Sequence, residues 1–322
     1  MSRFSIASLA RNALSGHRRW ARTWRDASPK SGYDIIIVGG GGHGLAAAYY
    51  LAKVHGMTNV AVIEKGWIGS GNAGRNTTII RSNYGLPGNE PFYEWSMKLW
   101  EGLEQELNYN AMVSQRGVLN LYHSDGQRDA FARRGNAVRL HGADAELLDR
   151  NAVRKLAPFL NFDHARFPIE GGLFQGRGGT ARHDAVVWGY ARGASALGAD
   201  IIQNCELTGF VRDASGAVTG IETTRGLIRA GKVGLAVAGN SSRVRPWPTC
   251  ACPSKVMFSK LSSANRSSRS FRGSSSSALG TSTSANRTRV GSFSVAISMA
   301  ITAMRAAVTC PWLSMFAKAP WR

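Results

Sequence analysis

The sequence predicts an α/β protein built around a buried parallel sheet, and three observations carry that prediction. Ile35–Val38 is a continuous apolar run rich in β-branched residues, as in a strand buried on both faces. Leu45–His55 is alanine-rich and has the character of a packed helix, and a second apolar run follows at Val60–Ile63. The order strand, helix, strand is typical of the units that build parallel sheets.

A glycine pattern joins the first strand to the helix. Gly39, Gly41 and Gly44 form G-x-G-x-x-G. The first glycine allows a tight turn, the second lets the backbone approach a pyrophosphate, and the third lets helix pack on strand. The helix N-terminus offers free N–H groups to phosphates. Glu64, at the end of the second strand, is placed to accept hydrogen bonds from ribose hydroxyls, so the sequence predicts a dinucleotide site and disfavours NADP.

Two later stretches favour FAD over NAD. A second glycine-rich loop runs from Gly66 to Gly74 and continues into the polar residues 75–77, which can wrap the far side of a pyrophosphate. A late apolar run, Val233–Val237, ends in Ala-Gly and predicts a strand that returns to the nucleotide sheet, as in two-domain FAD enzymes. Either stretch alone is compatible with an ordinary surface turn. The first glycine loop, the second glycine-rich loop and the late strand occur in that order along the chain, and together they indicate FAD.

The middle of the chain predicts a substrate-side subdomain that interrupts the nucleotide-binding part. Gly117–Tyr122 has β-like character, and Ala145–Leu156 has a helical pattern. A further helix is predicted at Ala185–Leu197, with Gly198 as its C-cap. The strand predicted after that helix contains Ile201, Ile202 and Leu207.

His183 lies just before the helix predicted from Ala185. A lone histidine near a helix start is usually a capping or surface residue. Its neighbours Arg182 and Asp184 allow a functional interpretation, because Arg182 can hold a phosphate or the negative charge of a reduced flavin. The residue chemistry alone leaves both interpretations open.

The net charge of +20 does not indicate a nucleic-acid partner for the whole chain, because the charge is unevenly distributed. Residues 241–322 contain 12 Lys and Arg and no Asp or Glu, so residues 1–240 carry 28 basic against 20 acidic residues, a net charge of +8. The only cysteine before that tail, Cys205, is interpreted as a small core residue. Nothing suggests a disulfide framework, which favours a reducing, cytoplasmic location.

The N-terminal residues 1–31 are Arg-rich and contain a single acidic residue, Asp26. They lack the continuous apolar segment of a signal peptide. A transit peptide and a basic amphipathic arm that docks on another subunit are both compatible with this pattern. No apolar run of 18 residues predicts a transmembrane helix, since the nearest candidate, Val290–Met304, is interrupted by serines and followed by Arg305.

Several long stretches of residues 1–242 closely resemble the β subunits of heterotetrameric sarcosine oxidases, within the D-amino-acid-oxidase-like flavoenzymes. The resemblance rests on YDIIIVGGGGHGLAAAYYLAK, NVAVIEKGW, NTTIIRSNY, SQRGVLNL, GGTARHDAVVWGYARGA and DIIQNCE. It implies an FAD site at Gly39, Gly41, Gly42, His43, Gly44, Glu64, Lys65, Asn72, Arg75, Thr77, Leu207 and Gly239. It also implies that His183 carries a second flavin, FMN, covalently, with Arg182 on its phosphate side.

The same resemblance implies a reaction and partners. Members of this family oxidise sarcosine to glycine, with electrons passing through FAD and FMN to O₂ to give H₂O₂. The one-carbon unit is taken up by tetrahydrofolate on a partner subunit, giving 5,10-methylenetetrahydrofolate. The implied partners are α, γ and δ subunits, of which α carries NAD. Catalytic residues remain unassigned and no metal is expected.

Residues 243–322 do not match the family's continuation. From residue 241 onward the chain holds 19 Ser and no His or Tyr. One interpretation is a basic Ser/Arg-rich tail that binds nucleic acid. Another makes Cys250 and Cys252 half of a zinc site, although a zinc site needs four ligands and the tail has no histidine.

A shifted reading frame explains the acid-free composition best. With one choice of GC-rich codons for residues 246–262, reading two nucleotides later gives MADLRLPIESHVLQAF, which resembles the family's own continuation. The tail is therefore interpreted as an out-of-frame translation that was not selected to fold. We expect little or no sarcosine oxidase activity and weak FAD retention.

Together these observations predict an incomplete α/β protein. A basic arm, residues 1–31, precedes an FAD-dependent oxidoreductase domain, residues 32–242. In that domain a Rossmann-like nucleotide-binding part, residues 32–108 and 180–242, is interrupted by an α+β substrate-side subdomain, residues 109–179. Residues 243–322 form a low-complexity tail that is expected to be disordered.

Overall fold

The computed structural model describes residues 5–16, 18, 22–84, 88–241 and 244, together with the backbone of residues 274–276. The helices in these residues are α1 (Ile6–Leu14), α2 (Gly42–His55), α3 (Glu90–Leu107), α4 (Asp125–Leu140), α5 (Arg150–Leu156) and α6 (His183–Ala196). The strands are β1 (Gly32–Val38), β2 (Val60–Ile63), β3 (Ile79–Ile80), β4 (Val118–Tyr122), β5 (Glu146–Asp149), β6 (Gly171–Gln175), β7 (Gly179–Thr180), β8 (Asp200–Ile202), β9 (Leu207–Arg212), β10 (Val218–Thr223), β11 (Gly226–Leu235) and β12 (Ser274–Ser276).

A six-stranded sheet in the order β8-β2-β1-β11-β10-β9 forms the centre of the nucleotide-binding part. Its first four strands are parallel, and β10 and β9 add an antiparallel meander. This arrangement confirms the predicted α/β class. It also confirms the returning strand, because β11 pairs in parallel with β1 and the N–H of Ala236 continues the ladder to the Val38 carbonyl at 2.8 Å.

Both faces of the sheet are covered by apolar side chains, which explains why β1 and β2 are continuous apolar runs. Ile35 and Ile37 pack with α2, α3 and α6 on one face. Ile36 and Val38 pack with residues of β8, β10 and β11 on the other. Close packing of α2 on α6 uses Gly193, where a Cβ would lie 2.9 Å from the ring of Tyr49.

A second sheet, in the order β12-β4-β6-β5, lies in the middle of the chain and packs with α4 and α5. The strand predicted at Gly117–Tyr122 is confirmed as β4. The helix predicted at Ala145–Leu156 is wrong in its first half, because residues 146–149 form β5 and pair antiparallel with β6. Asp149 then caps α5, accepting the N–H of Ala152 at 2.7 Å. Cross-strand pairing therefore outweighs a local pattern that fits a helix.

The chain after α6 also differs from the prediction. The helix begins at His183, two residues earlier than predicted, and ends at Ala196, with Gly198 in a left-handed conformation at φ +111°. Ile202 and Leu207 do not share a strand, since they belong to β8 and β9 at opposite edges of the six-stranded sheet. A turn with Asn204 at φ +52° separates the two strands.

The N-terminal arm is fastened to the edge of the sheet by the buried carboxylate of Asp200. This carboxylate accepts hydrogen bonds from Arg25 Nη2 at 3.1 Å and the Tyr33 hydroxyl at 3.1 Å, and lies 2.8 Å from Lys30 Nζ. Burial, with the nearby Asp200 charge, raises the pKa of Tyr33 to about 12. The guanidinium of Arg25 also donates to the carbonyl of Gly198, just after α6.

Replacing Asp200 by asparagine is expected to release this arm. The substitution removes a buried charge that neutralises Arg25 and Lys30, so the free energy of unfolding should fall by about 2–3 kcal/mol. Urea unfolding measures the loss, and trypsin cleavage after Arg25 measures release of the arm. Asp26→Asn is the matched control, because that exposed pair with Arg22 contributes at most about 0.5 kcal/mol. Equal behaviour of the two variants would refute the anchoring role.

The predictions made for residues 243–322 fall almost entirely outside the described residues. These are the low-complexity character of the tail, the Cys250 and Cys252 pair, and the shifted reading frame. Only Val244 and the backbone of β12, which pairs in parallel with β4, are described there. None of the described helices has the length and apolar character needed to cross a membrane.

Candidate dinucleotide site

The glycine loop between β1 and α2 has the close contacts that the sequence pattern requires. Gly39 is left-handed at φ +113°, and a Cβ there would collide with the carbonyl oxygen of Ala236. A Cβ on Gly44 would collide with the carbonyl oxygen of Gly39. A Cβ on Gly41, in contrast, would meet no atom within 4 Å, so the loop is open on that side. Space for a ligand therefore exists where the pattern places a pyrophosphate.

The N-terminus of α2 is free to bind an anion. Its N-cap is Gly41, which provides no side-chain hydrogen bond, so the first N–H groups of the helix lack a side-chain cap. The partial positive charge of a helix N-terminus adds to the attraction. Both features are those that phosphate groups require.

Glu64 holds the two glycine loops together from the end of β2. Its Oε2 accepts the N–H of Gly40 at 2.8 Å and its Oε1 accepts the N–H of Gly66 at 3.0 Å. The carboxylate lines the cavity and retains lone pairs for the ribose hydroxyls of a nucleotide.

The second glycine-rich loop docks on the first. The N–H of Gly69 donates to the carbonyl of Gly40 at 2.9 Å, and Gly69 lies against Val187 of α6. The short 3₁₀ helix Asn72–Arg75 follows. The side chain of Asn76 then bridges the carbonyl of Ala73 at 2.7 Å and the N–H of Thr78 at 2.7 Å. The loop is therefore built into the fold and is not an independent surface turn.

The two loops enclose a cavity of about 850 Å³ at the carboxyl ends of β1, β2 and β11. Ligands of open α/β sheets bind at this edge, and the volume suits a large cofactor. Ten of the predicted residues line the cavity, namely Gly39, Gly41, Gly42, His43, Glu64, Lys65, Asn72, Arg75, Leu207 and Gly239. Gly44 and Thr77 do not line it, and Gly44 acts through backbone packing.

Several residues of the cavity wall were missed by sequence reasoning. They are Trp67, Cys205, Phe210 and Asn240. Trp67 is 69% exposed. It directly follows Gly66, the first residue of the second glycine-rich loop, and this position could have indicated that it lines the cavity. Cys205 and Phe210 line the cavity because β9 begins beside the second glycine-rich loop. No local sequence pattern shows that these two segments are neighbours.

His43 is half-buried at the start of α2, and its buried Nε2 has no hydrogen-bond partner among the described residues. Burial lowers its pKa to about 4, so the imidazole is neutral near pH 7. Because the ring is neutral, the N-terminus of α2 attracts an anion through its own N–H groups and partial charge, without a contribution from a histidine cation.

This pKa predicts how stability depends on pH. Because the folded pKa lies below the unfolded value of 6.5, the unfolded chain binds the proton first as pH falls. The free energy of unfolding should therefore be highest above pH 6.5 and should fall between pH 6.5 and 4, by up to about 3 kcal/mol. Urea titrations across this range measure it. His43→Gln should flatten the dependence, whereas a decline of the same size in that variant would contradict the assignment.

His183 and Arg182 lie apart from the cavity-lining residues, at the start of α6. Arg182 Nε and Nη2 donate to the two carboxylate oxygens of Asp184 at 2.9 and 2.6 Å. This pairing lowers the pKa of Asp184 to about 2. His183 Nδ1 is buried and lacks a partner within the described part of the chain. The histidine thus keeps one ring nitrogen uncommitted, while the arginine is held by its neighbour.

Comparison with known proteins agrees with this geometry. The sequence profile of the family described as FAD dependent oxidoreductase matches residues 34–292. Sarcosine oxidase subunit beta of Rhizobium meliloti (strain 1021) is 71% identical over 242 residues, which cover 75% of this chain and 58% of that protein. Sarcosine oxidase subunit beta of an Arthrobacter species is 55% identical over 220 residues, covering 68% of this chain and 54% of that protein.

A solved structure shares the fold. The L-proline dehydrogenase from P. horikoshii superposes with a TM-score of 0.62 at 26% identity, covering 67% of this chain and 55% of that one. The chain thus spans less than two thirds of the length of these relatives. The match to the family profile continues past residue 242, whereas the match to the Rhizobium protein extends over 242 residues.

Proposed function

Because this chain belongs to the family of FAD-dependent oxidoreductases, we propose that it is a flavoprotein subunit of the sarcosine oxidase β type. The observation that carries this proposal is the cavity at the two glycine loops, closed by Glu64 and open at Gly41. We assign it to FAD. FAD and FMN supply the redox chemistry when bound, taking electrons from the methylamine of sarcosine and delivering them to O₂.

On this proposal the residues of the chain bind and orient the flavins, and the flavins supply the redox chemistry. The free N–H groups of α2 neutralise the pyrophosphate, and Glu64 orients the ribose. His43 stays uncharged within the cavity. The resemblance of the sequence supports the complete reaction, with glycine, H₂O₂ and 5,10-methylenetetrahydrofolate as products. It also supports a cytoplasmic complex with α, γ and δ subunits, in which α carries NAD and tetrahydrofolate binds to a partner subunit.

FMN is assigned to His183, with Arg182 at its phosphate. The unpartnered ring nitrogen of His183 and the adjacent guanidinium fit the attachment of an anionic flavin. Phosphate must replace Asp184 as the partner of Arg182, so the exposed pair has to open first. The test is acid precipitation of the purified chain, followed by in-gel flavin fluorescence. Fluorescence that remains in the wild-type chain and disappears in His183→Asn supports the assignment, and fluorescence that persists in the variant overturns it.

Residues 243–322 are proposed to be an out-of-frame translation of the family's continuation. The composition supports this, with 12 basic and no acidic residues after residue 240. On this proposal the chain lacks part of the substrate pocket and of the flavin clamp, so it turns over little or no sarcosine. The alternative function is a flavin domain fused to a basic tail that binds nucleic acid. Salt-dependent RNA binding that disappears when residues 243–322 are deleted would favour that alternative.

A further inference from the structure

Helix α1 exposes its apolar side to solvent. Ile6, Leu9 and Leu14 are 86, 66 and 90% exposed. They lie on one side of the helix together with Ala10 and Ala13, whereas Ser8, on the opposite side, is buried. A surface helix of an isolated protein normally has the reverse orientation, with its apolar stripe on the core. Three large aliphatic side chains in one exposed stripe mark a surface that another molecule covers.

Residues 24 and 25 of the arm, which follow α1 in the sequence, are fixed to the body of the protein. Trp24 packs against the main apolar cluster. The backbone N–H of Arg25 donates to Ser195 Oγ at 3.0 Å, and its guanidinium bonds the carbonyls of Gly198 and Ala199. The arm is thus attached to the end of α6 by several independent contacts.

The charge of the arm identifies the kind of surface that fits it. Residues 1–25 contain six arginines and no acidic residue. Arg11, Arg18 and Arg22 are exposed. An apolar groove with an acidic rim complements both the stripe and the charge. Two copies of this arm packed on each other would bring like-charged segments together, which disfavours a symmetric dimer through α1.

A membrane surface fits less well. Helices that lie on membranes carry several basic residues on the polar face and Trp or Phe among the apolar residues. α1 has nine residues, one basic residue and no aromatic residue. Its apolar stripe is small. A groove that encloses the side chains on three sides buries more of their apolar area than a bilayer surface does.

We propose that α1 docks in an acidic-rimmed apolar groove of a partner subunit and that the arm is an assembly element. This inference rests on the proposed function, since it names the element by which the subunit joins its complex. The mode is that of an amphipathic helix in a groove, with Ile6, Leu9 and Leu14 as anchors.

The test is co-expression of the tagged full chain with the α, γ and δ subunits of the Rhizobium meliloti sarcosine oxidase, followed by affinity purification. The retained partner subunits are quantified, and the FAD content of the chain is measured in the same samples. Leu9→Glu should lower the amount of retained partner at least about tenfold, because it puts a charge into the apolar groove. Leu140→Glu, at a leucine on α4 that is 85% exposed, is the control and should retain the partner.

Each outcome decides the inference. Loss of partner in Leu9→Glu with unchanged FAD content supports it. Equal retention by the wild-type chain and Leu9→Glu overturns it and leaves the proposed function standing. A wild-type chain that binds FAD on titration but retains no partner also overturns it, and a chain that neither binds FAD on titration nor retains a partner contradicts the proposed function too. Two further measurements use the chain alone, without partner subunits: binding to phosphatidylserine vesicles and dimer formation in sedimentation. If the wild-type chain shows either one and Leu9→Glu abolishes it, α1 is assigned to a membrane or to a second copy instead.

Discussion

Replacing Gly44 by alanine is expected to abolish FAD binding and to lower the free energy of unfolding by about 3 kcal/mol or more. The added methyl group would collide with the carbonyl oxygen of Gly39 and lie 3.3 Å from the side chain of Ile37. Neither can move without displacing β1 or the start of α2, and both elements form the loop that holds the pyrophosphate. Urea unfolding and FAD fluorescence titration measure the two losses.

Gly41→Ala is the matched control for this loss. At Gly41 a methyl group meets no atom within 4 Å, and the backbone, at φ −84°, suits alanine. We therefore expect stability within about 0.5 kcal/mol of the wild type. The dissociation constant for FAD should still rise about tenfold or more, because the methyl group occupies the approach of the pyrophosphate. Wild-type stability in Gly44→Ala, or unchanged FAD affinity in Gly41→Ala, would contradict this account of the loop.

Restoring the family reading frame after Ser242 is expected to give an active sarcosine oxidase, whereas we expect the present chain to turn over little or no sarcosine. On the reading-frame proposal, the frame read two nucleotides later would supply acidic, histidine and leucine residues in place of the acid-free tail. On this proposal it would complete the substrate pocket, of which the present chain lacks a part. Oxygen consumption and H₂O₂ formation with sarcosine, in the presence of the partner subunits, measure the gain.

Two controls make this experiment decisive. A chain that ends at Ser242 should be as inactive as the present one, which would show that the tail contributes nothing. Sequencing the gene and its transcript around the Ser242 codon shows which frame is expressed. Full activity of the present chain, with its tail intact, would refute the reading-frame proposal.

The nucleotide loop could be predicted because its determinants are local. Gly39, Gly44 and Glu64 lie within one strand–helix–strand unit. Gly44 and Glu64 are required by contacts inside that unit, with Gly39 and Gly40, and Gly39 needs its own left-handed conformation in the turn. The second loop could be predicted as glycine-rich, but its docking on Gly40 through Gly69 could not, since a hydrogen bond between two loops leaves no periodic signal.

The remaining features depend on contacts between distant residues. Leu147 and Leu148 suit a helix locally, yet pairing with β6 makes them part of a strand. Ile202 and Leu207 are five residues apart but lie at opposite edges of one sheet, because the chain crosses the sheet between them. The clamp of Asp200 on Arg25 joins residues 175 positions apart, so no pattern in either segment reveals it.

Titration of the purified full chain with FAD tests the central claim most directly. The account predicts saturable one-to-one binding with a dissociation constant of about micromolar, weakened in Gly41→Ala and competed by ADP, which carries the ribose and pyrophosphate that the two loops hold. A folded chain that shows no saturable FAD binding, or one that ADP does not compete, would contradict it.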